Sequence, residues 1–101
     1  MKQYSVNISK TAFISLNRIK EYITYQLNSP ETAQKQCNRI VQKIFSLKTF
    51  PKRHQVFFSE NNKDFYRILA DNYSIIYVID ENTVTVMYIM YTASDILQKL
   101  Q

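Results

Sequence analysis

With 101 residues, 46% of them hydrophobic and 21% charged, the chain is long enough for one domain with its own core and too short for two. It contains no glycine. That excludes every motif in which bare backbone crowds a phosphate: the dinucleotide fingerprint, the P-loop and the nucleophile elbow, and with them the usual ATPase, kinase, dehydrogenase and α/β-hydrolase chemistries.

The formal charge of +5 is unevenly placed. Residues 1–58 carry ten Lys/Arg against two acids, and residues 59–101 carry three against six. A basic half of this kind attracts a polyanion or an acidic partner protein. The opening Met1-Lys2-Gln3-Tyr4-Ser5 has no apolar signal core. Apolar runs such as Ile75 to Ile79 are far short of a membrane span, so a soluble, cytoplasmic protein with no membrane partner is expected.

From Gln3 to Ser9 the alternation of Tyr4, Val6 and Ile8 predicts a half-buried strand. Ser9 is placed to cap the helix behind it, roughly Lys10 to Leu27, in which Ala12, Leu16, Ile19, Ile23 and Leu27 recur at spacings of three and four. Asn28-Ser29-Pro30-Glu31 reads as a stop and restart: Asn tolerates the left-handed cap, Ser caps the next helix and Pro suits its first turn. The second helix carries Ala33, Cys37, Ile40, Val41, Ile44 and Leu47 on its apolar side and Lys35, Arg39, Lys43 and Lys48 elsewhere, and Phe50-Pro51 ends it. Cys37 lies in the apolar stripe and reads as an inert buried thiol. One cysteine and one histidine make neither a disulfide nor a finger-type zinc site, and neither metal nor cofactor is expected.

Lys52 to Asp64 reads as a polar connection, interrupted by Val56-Phe57-Phe58 as a short strand or a plug into the core. Three strands follow: Phe65 to Leu69, then Tyr73 to Ile79, apolar enough to be central, then Thr83 to Tyr91. In the last, Val84, Val86, Tyr88 and Met90 alternate against Thr83, Thr85, Met87 and Ile89. The turns Ala70-Asp71-Asn72 and Asp80-Glu81-Asn82 make an antiparallel meander, and Asn28, Asn61-Asn62, Asn72 and Asn82 take glycine's place at the reversals. A short helix, Ser94 to Leu100, closes the chain. The order β-α-α-β-β-β-α predicts an α+β fold: a helical hairpin packed on one face of a small antiparallel sheet, with the other face partly open.

Taken in order, Tyr22-Ile23-Thr24-Tyr25, Ser29-Pro30-Glu31-Thr32-Ala33, Ile40 to Pro51, Tyr66-Arg67-Ile68-Leu69 and Tyr73 to Asp80 with the valine-rich strand after them resemble the RelE/ParE superfamily of bacterial type II toxins over nearly the whole chain. The Leu47-to-Pro51 helix end and the Tyr66-Arg67-Ile68 strand lean toward the ParE branch. The resemblance implies a growth-arresting toxin neutralised by a cognate antitoxin, with operator DNA met only through that antitoxin. Its target is DNA gyrase, inhibited by binding, or the ribosome and its mRNA, which RelE-like members cut.

RNA cleavage through the 2′-hydroxyl needs a base, an acid and cations for the charge that develops on phosphate. Where the superfamily's nucleases carry an arginine this chain has Ser74, and where they carry histidine, tyrosine or arginine at the end of the last strand it reads Tyr91-Thr92-Ala93-Ser94. The remaining catalytic candidates are Arg67, His54 and Tyr91. Arg67 otherwise reads as a surface arginine paired with Asp64 or Asp71, and His54 as a solvated histidine. Lys48, Lys52, Arg53, Lys63 and Arg67 are candidates for binding nucleic acid or another target, with a solvated basic loop as the plainer alternative. Tyr22, Tyr25 and Phe45 on the hairpin are candidates for binding the antitoxin's amphipathic helix, whose extended continuation would run along the sheet. A non-toxic nucleic-acid-binding or partner-docking module is the remaining reading, separated from a toxin by growth arrest on expression.

Overall fold

A computed structural model of the chain describes residues 3–92. Strand β1 (Ser5–Ile8) leads into helix α1 (Lys10–Glu21), which continues as a π-helical segment, Tyr22–Gln26. Helix α2 (Pro30–Ser46) and a 3₁₀ turn (Pro51–Arg53) follow. The chain then forms strands β2 (Gln55–Glu60), β3 (Lys63–Ala70), β4 (Tyr73–Asp80) and β5 (Thr83–Tyr91) in succession. The sheet order is β1-β5-β4-β3-β2, so β4 is central, as its apolar composition predicts. The expected terminal helix, Ser94 to Leu100, lies outside the described residues.

The expected α+β architecture is present, with four differences. Val56-Phe57-Phe58 belongs to a full edge strand and is not an interruption in a polar connection. Asn61 and Asn62, both at positive φ, supply the two left-handed residues that a tight hairpin turn requires. The sheet is not wholly antiparallel either, because β1 pairs parallel to β5 (Val6 with Val84, Ile8 with Val86). Third, the alternation in β5 changes phase at Met87, where a bulge lies between Ile76 and Tyr77 of the partner strand. Ile89, 3% exposed, therefore joins Val84 and Val86 in the core, while Tyr88 and Met90 go to the opposite face. Fourth, α2 ends at Ser46, several residues before Pro51, and Phe50 then adopts a left-handed conformation (φ 49°, ψ 54°).

Of the two expected serine caps, one forms and one does not. Ser9 behaves as expected: its Oγ accepts from the Ala12 amide at 3.0 Å and donates to the carbonyl of bulged Met87 at 2.9 Å, tying the start of α1 to β5. Ser29 precedes α2 but donates to Thr32 Oγ1 at 2.6 Å and makes no side-chain bond to the helix backbone. At the β3–β4 and β4–β5 reversals the left-handed residues are Asp71 and Glu81, each one position before the expected asparagine.

Helix α1 packs over β5, and α2 over β3 and β4. Ala12, Ile40, Ile44 and Leu47 meet Ile68, Ile75, Tyr77, Val84 and Val86 in a core that excludes water. Tyr77 is fully buried, and its hydroxyl donates to the Pro51 carbonyl at 2.6 Å. The 3₁₀ turn is thereby fastened to the middle of the sheet.

Two substitutions test this packing by chemical denaturation. Ile40→Ala removes a side chain at 0% exposure and should cost about 2–5 kcal/mol, the range for emptying a packed site. Tyr77→Phe keeps the ring but strands the Pro51 carbonyl, and should cost about 1–3 kcal/mol.

Candidate functional site

Pleat alternation sorts the candidate residues onto two faces of the sheet. Tyr66, Ile68 and Ala70 of β3 point toward the helices, so Phe65, Arg67 and Leu69 lie on the far face. There Arg67 sits between Gln55 of β2 and Ile76 of β4, its guanidinium 4.5 Å from the centre of the Phe57 ring. Phe57 occupies the irregularity between Val56 and Phe58, which sets it apart in the ladder; Phe58 stacks on Phe65 with centroids 4.5 Å apart. Neither of the carboxylates weighed as Arg67's partner takes that role. Asp64 accepts from Ser59 Oγ at 2.6 Å, and Asp71 pairs with Arg39.

One row along that face, Ser74 is fully buried, and its Oγ lies 2.9 Å from Thr92 Oγ1. Ser74, which stands where the nuclease pattern has an arginine, is thus joined in a neutral hydroxyl pair to Thr92, one residue of the Tyr91-to-Ser94 stretch where that pattern has histidine, tyrosine or arginine.

His54 lies on the other side. It follows the 3₁₀ turn, packs edge-on against Tyr77 with centroids 6.4 Å apart, and its Nε2 accepts from Arg53 Nε at 3.3 Å. Partial burial, then the cations Arg53 and Lys43, hold its pKa below the ordinary imidazole value, so the ring is neutral at pH 7. The same burial pushes the Tyr77 phenol well above its usual range.

His54 and Arg53 line a cleft of about 450 Å³ together with Arg39, Gln42, Lys43 and Ser46 of α2, Ile68 and Asp71. Arg39 bonds to Asp71 and to Gln36 Oε1, and the guanidinium hydrogen bond holds the Asp71 carboxyl below the usual carboxylate range. Arg39 and Lys43 are one helical turn apart and so share a face of α2. That pairing is readable in the sequence; the meeting with Asp71, 32 residues on, is not.

Tyr91 is at a third place. It pairs with Tyr73 across the end of β4, rings 5.9 Å apart, and with Arg18, Ile19 and Tyr22 borders a cleft of about 630 Å³ between α1 and the sheet. The fold thus sets Arg67, His54 and Tyr91 at three separate sites. Lys48, Lys52 and Arg53 gather where α2 runs into the 3₁₀ turn, whereas Lys63 is at the tip of the β2–β3 hairpin, about 16 Å further along. Tyr22, Tyr25 and Phe45 are 56%, 78% and 58% exposed. The tyrosines stand at the hairpin's turn and Phe45 near its other end, about 20 Å away along α2. Phe13, Ile14 and Leu27 extend this exposed apolar surface.

A two-helix hairpin on one face of a five-stranded sheet, with the other face partly open, is the fold of the RelE/ParE toxins. The toxin–antitoxin structure of the chromosomal ParDE system of P. aeruginosa is similar at TM-score 0.75 and 15% identity, over 90% of this chain and 98% of the other. The RelBE2 complex of Mycobacterium tuberculosis (0.65, 20%, 93% and 97%) and the archaeal RelE-RelB complex of Pyrococcus horikoshii OT3 (0.62, 16%, 93% and 99%) share it too. The model of the ParE toxin of the type II toxin-antitoxin system, parDE, matches residues 6–96, and the chain belongs to that family. By that family it is a toxin of a type II toxin-antitoxin system. Among curated proteins no sequence matches it. No helix among the described residues is long and apolar enough to cross a membrane.

The charge arrangement around His54 gives a pH signature. Its ring protons should titrate by NMR with a midpoint below 6.5. Replacing Arg53 by Gln should raise that midpoint, because a cation next to the imidazole is removed. A pKa depressed in the folded chain means that the unfolded chain takes its proton first. Stability from this group is therefore complete above 6.5 and declines as pH falls toward the folded value.

Proposed function

We propose that the toxin arrests growth as ParE-like proteins do, by binding and inhibiting DNA gyrase, with no catalytic centre of its own. The buried Ser74–Thr92 hydroxyl pair carries this reading: it fills with neutral groups the place where cleavage of RNA needs fixed charge. The spacing of Arg67, His54 and Tyr91 over separate sites supports it. General acid–base catalysis needs its groups within hydrogen-bond reach of the same reacting atoms, directly or through one water. One observation favours the alternative, a RelE-like mRNA interferase: His54 is neutral at pH 7 and could accept a proton.

The antitoxin, on this reading, lays an amphipathic helix over the exposed hairpin surface around Tyr22, Tyr25 and Phe45 and runs an extended segment along a sheet edge. The excess of positive charge in the first half of the chain favours an acidic segment. Operator DNA is then reached through the antitoxin.

Induced expression followed in parallel by DNA-supercoiling and translation assays tests the target. Growth arrest with a DNA-damage response and intact mRNA is expected, and Arg67→Ala or His54→Gln should leave mRNA intact as in the parent. Cleavage of mRNA in the ribosomal A site that depends on either residue would establish the nuclease instead, and expression without growth arrest would leave a non-toxic binding module. For the antitoxin, deleting its extended segment should abolish binding in calorimetry, and unchanged affinity overturns the docking arrangement.

A further inference from the structure

The cleft between α2 and the 3₁₀ turn is electrostatically unbalanced. Three permanent cations line it, Arg39 and Lys43 from one helix face and Arg53 from the turn, against the single carboxylate of Asp71. Asp71 is engaged by Arg39. Among the described residues neither Lys43 nor Arg53 has an ion-pair partner, and the two act together on His54, each disfavouring its protonation. Asp71 also feels the charge of Lys43, but one carboxylate against three cations leaves a net positive cleft, and an anion between Lys43 and Arg53 would relieve the remaining repulsion.

The other groups of the cleft narrow the chemistry of that anion. Gln42 contributes an amide beside the cations, while the Ser46 hydroxyl donates to the Lys43 carbonyl at 2.6 Å and is not a free donor. Donors from two elements suit a tetrahedral oxyanion better than a planar carboxylate, and of the two guanidiniums in the cleft Arg39 already has Asp71 while Arg53 spends its Nε on His54. The volume of about 450 Å³ accommodates a phosphate together with the sugar that carries it. Ile68 forms the apolar floor.

We infer that this cleft is a phosphate-binding site, with Lys43 and Arg53 as its principal contacts and the Arg39–Asp71 pair as a fixed wall. It is on the helix side of the sheet, away from Arg67, and it does not depend on which target the toxin inhibits. The phosphate comes either from a nucleic-acid strand crossing the cleft or from a free phosphate.

Binding of fluorescein-labelled twelve-nucleotide oligo(dT) and oligo(U) to the purified full chain, followed by anisotropy over a range of salt, tests the site. Lys43→Gln and Arg53→Gln should each weaken binding roughly tenfold at low salt. Each should also flatten the slope of log K against log salt by about 0.7, one single-strand phosphate contact. Both side chains are exposed and outside the core, so the fold is retained in both variants. Lys20→Gln, an equal loss of charge on the exposed part of α1, should change little. Competition by inorganic phosphate, against sodium chloride of equal ionic strength, separates the two sources. If it displaces the oligonucleotide and shifts the His54 ring signals, the site is assigned to free phosphate. If the His54 signals respond to the oligonucleotide alone, it is assigned to a strand. An equal loss in the Lys20 variant, or no loss in the Lys43 and Arg53 variants, overturns the site. Growth arrest is scored separately, so arrest without phosphate binding rejects the cleft and leaves the toxin reading standing.

Discussion

The hydroxyl of Tyr77 is the point on which the functional half of the fold depends. It sits at the centre of the middle strand, and at 2.6 Å it satisfies the carbonyl of Pro51 in a buried environment. An unpaired carbonyl there would cost more than the bond contributes in net stability, so the contact acts mainly by excluding other positions of the turn. The same ring stacks on Tyr66, 5.5 Å away, and meets the edge of His54. One side chain therefore sets the height of the turn above the sheet, the direction of His54 and the side from which Arg53 enters the cleft.

That anchoring also explains how Phe50 keeps an unfavourable backbone. A bulky residue at positive φ immediately before a proline is doubly disfavoured, by its own Cβ and by the proline ring. Strain of about 1–3 kcal/mol persists only where the surroundings over-determine the conformation. Here Leu47 and Pro51, both buried, bracket the residue, while the Phe50 ring itself is 56% exposed. With no glycine in the chain, the reversal falls on whichever residue the two flanking anchors leave in place.

The main lines of the fold were legible in the sequence because they depend on local periodicity. The apolar stripes of the two helices, the Ser9 cap and the central place of β4 follow from spacing that each segment carries in itself. What failed depended on partners distant in sequence. Nothing around Met87 announces a bulge, since that residue is displaced by how β5 meets β4 and by the Ser9 hydroxyl on its carbonyl. Val56-Phe57-Phe58 reads as a short strand or a core plug, and only the ladder that β3 supplies decides for the strand and extends it over Gln55–Glu60. At the β3–β4 turn the left-handed conformation falls on Asp71, not the better-suited Asn72. The candidate residues were selectable by type, whereas their separation was not: Arg67 and Ile68 are neighbours in sequence and lie on opposite faces only because β3 is pleated.

The two faces also differ in how they treat charge, and this bears on what a partner can do at each. On the far face Arg67 lies over the Phe57 ring with no ion-pair partner among the described residues, and Ser74 is closed by Thr92. A single cation on an aromatic ring suits contact with a protein partner, whereas the helix side gathers three cations in one cleft. On the helix side Lys43 and Arg53 form no ion pair among the described residues, and the one carboxylate of the cleft, Asp71, offsets only part of its positive charge. The division runs through the sheet itself: the alternation of β4 sets Ser74 and Ile76, both buried, on one face and Tyr77 on the other, so the surroundings of Arg67 and of the cleft are built independently.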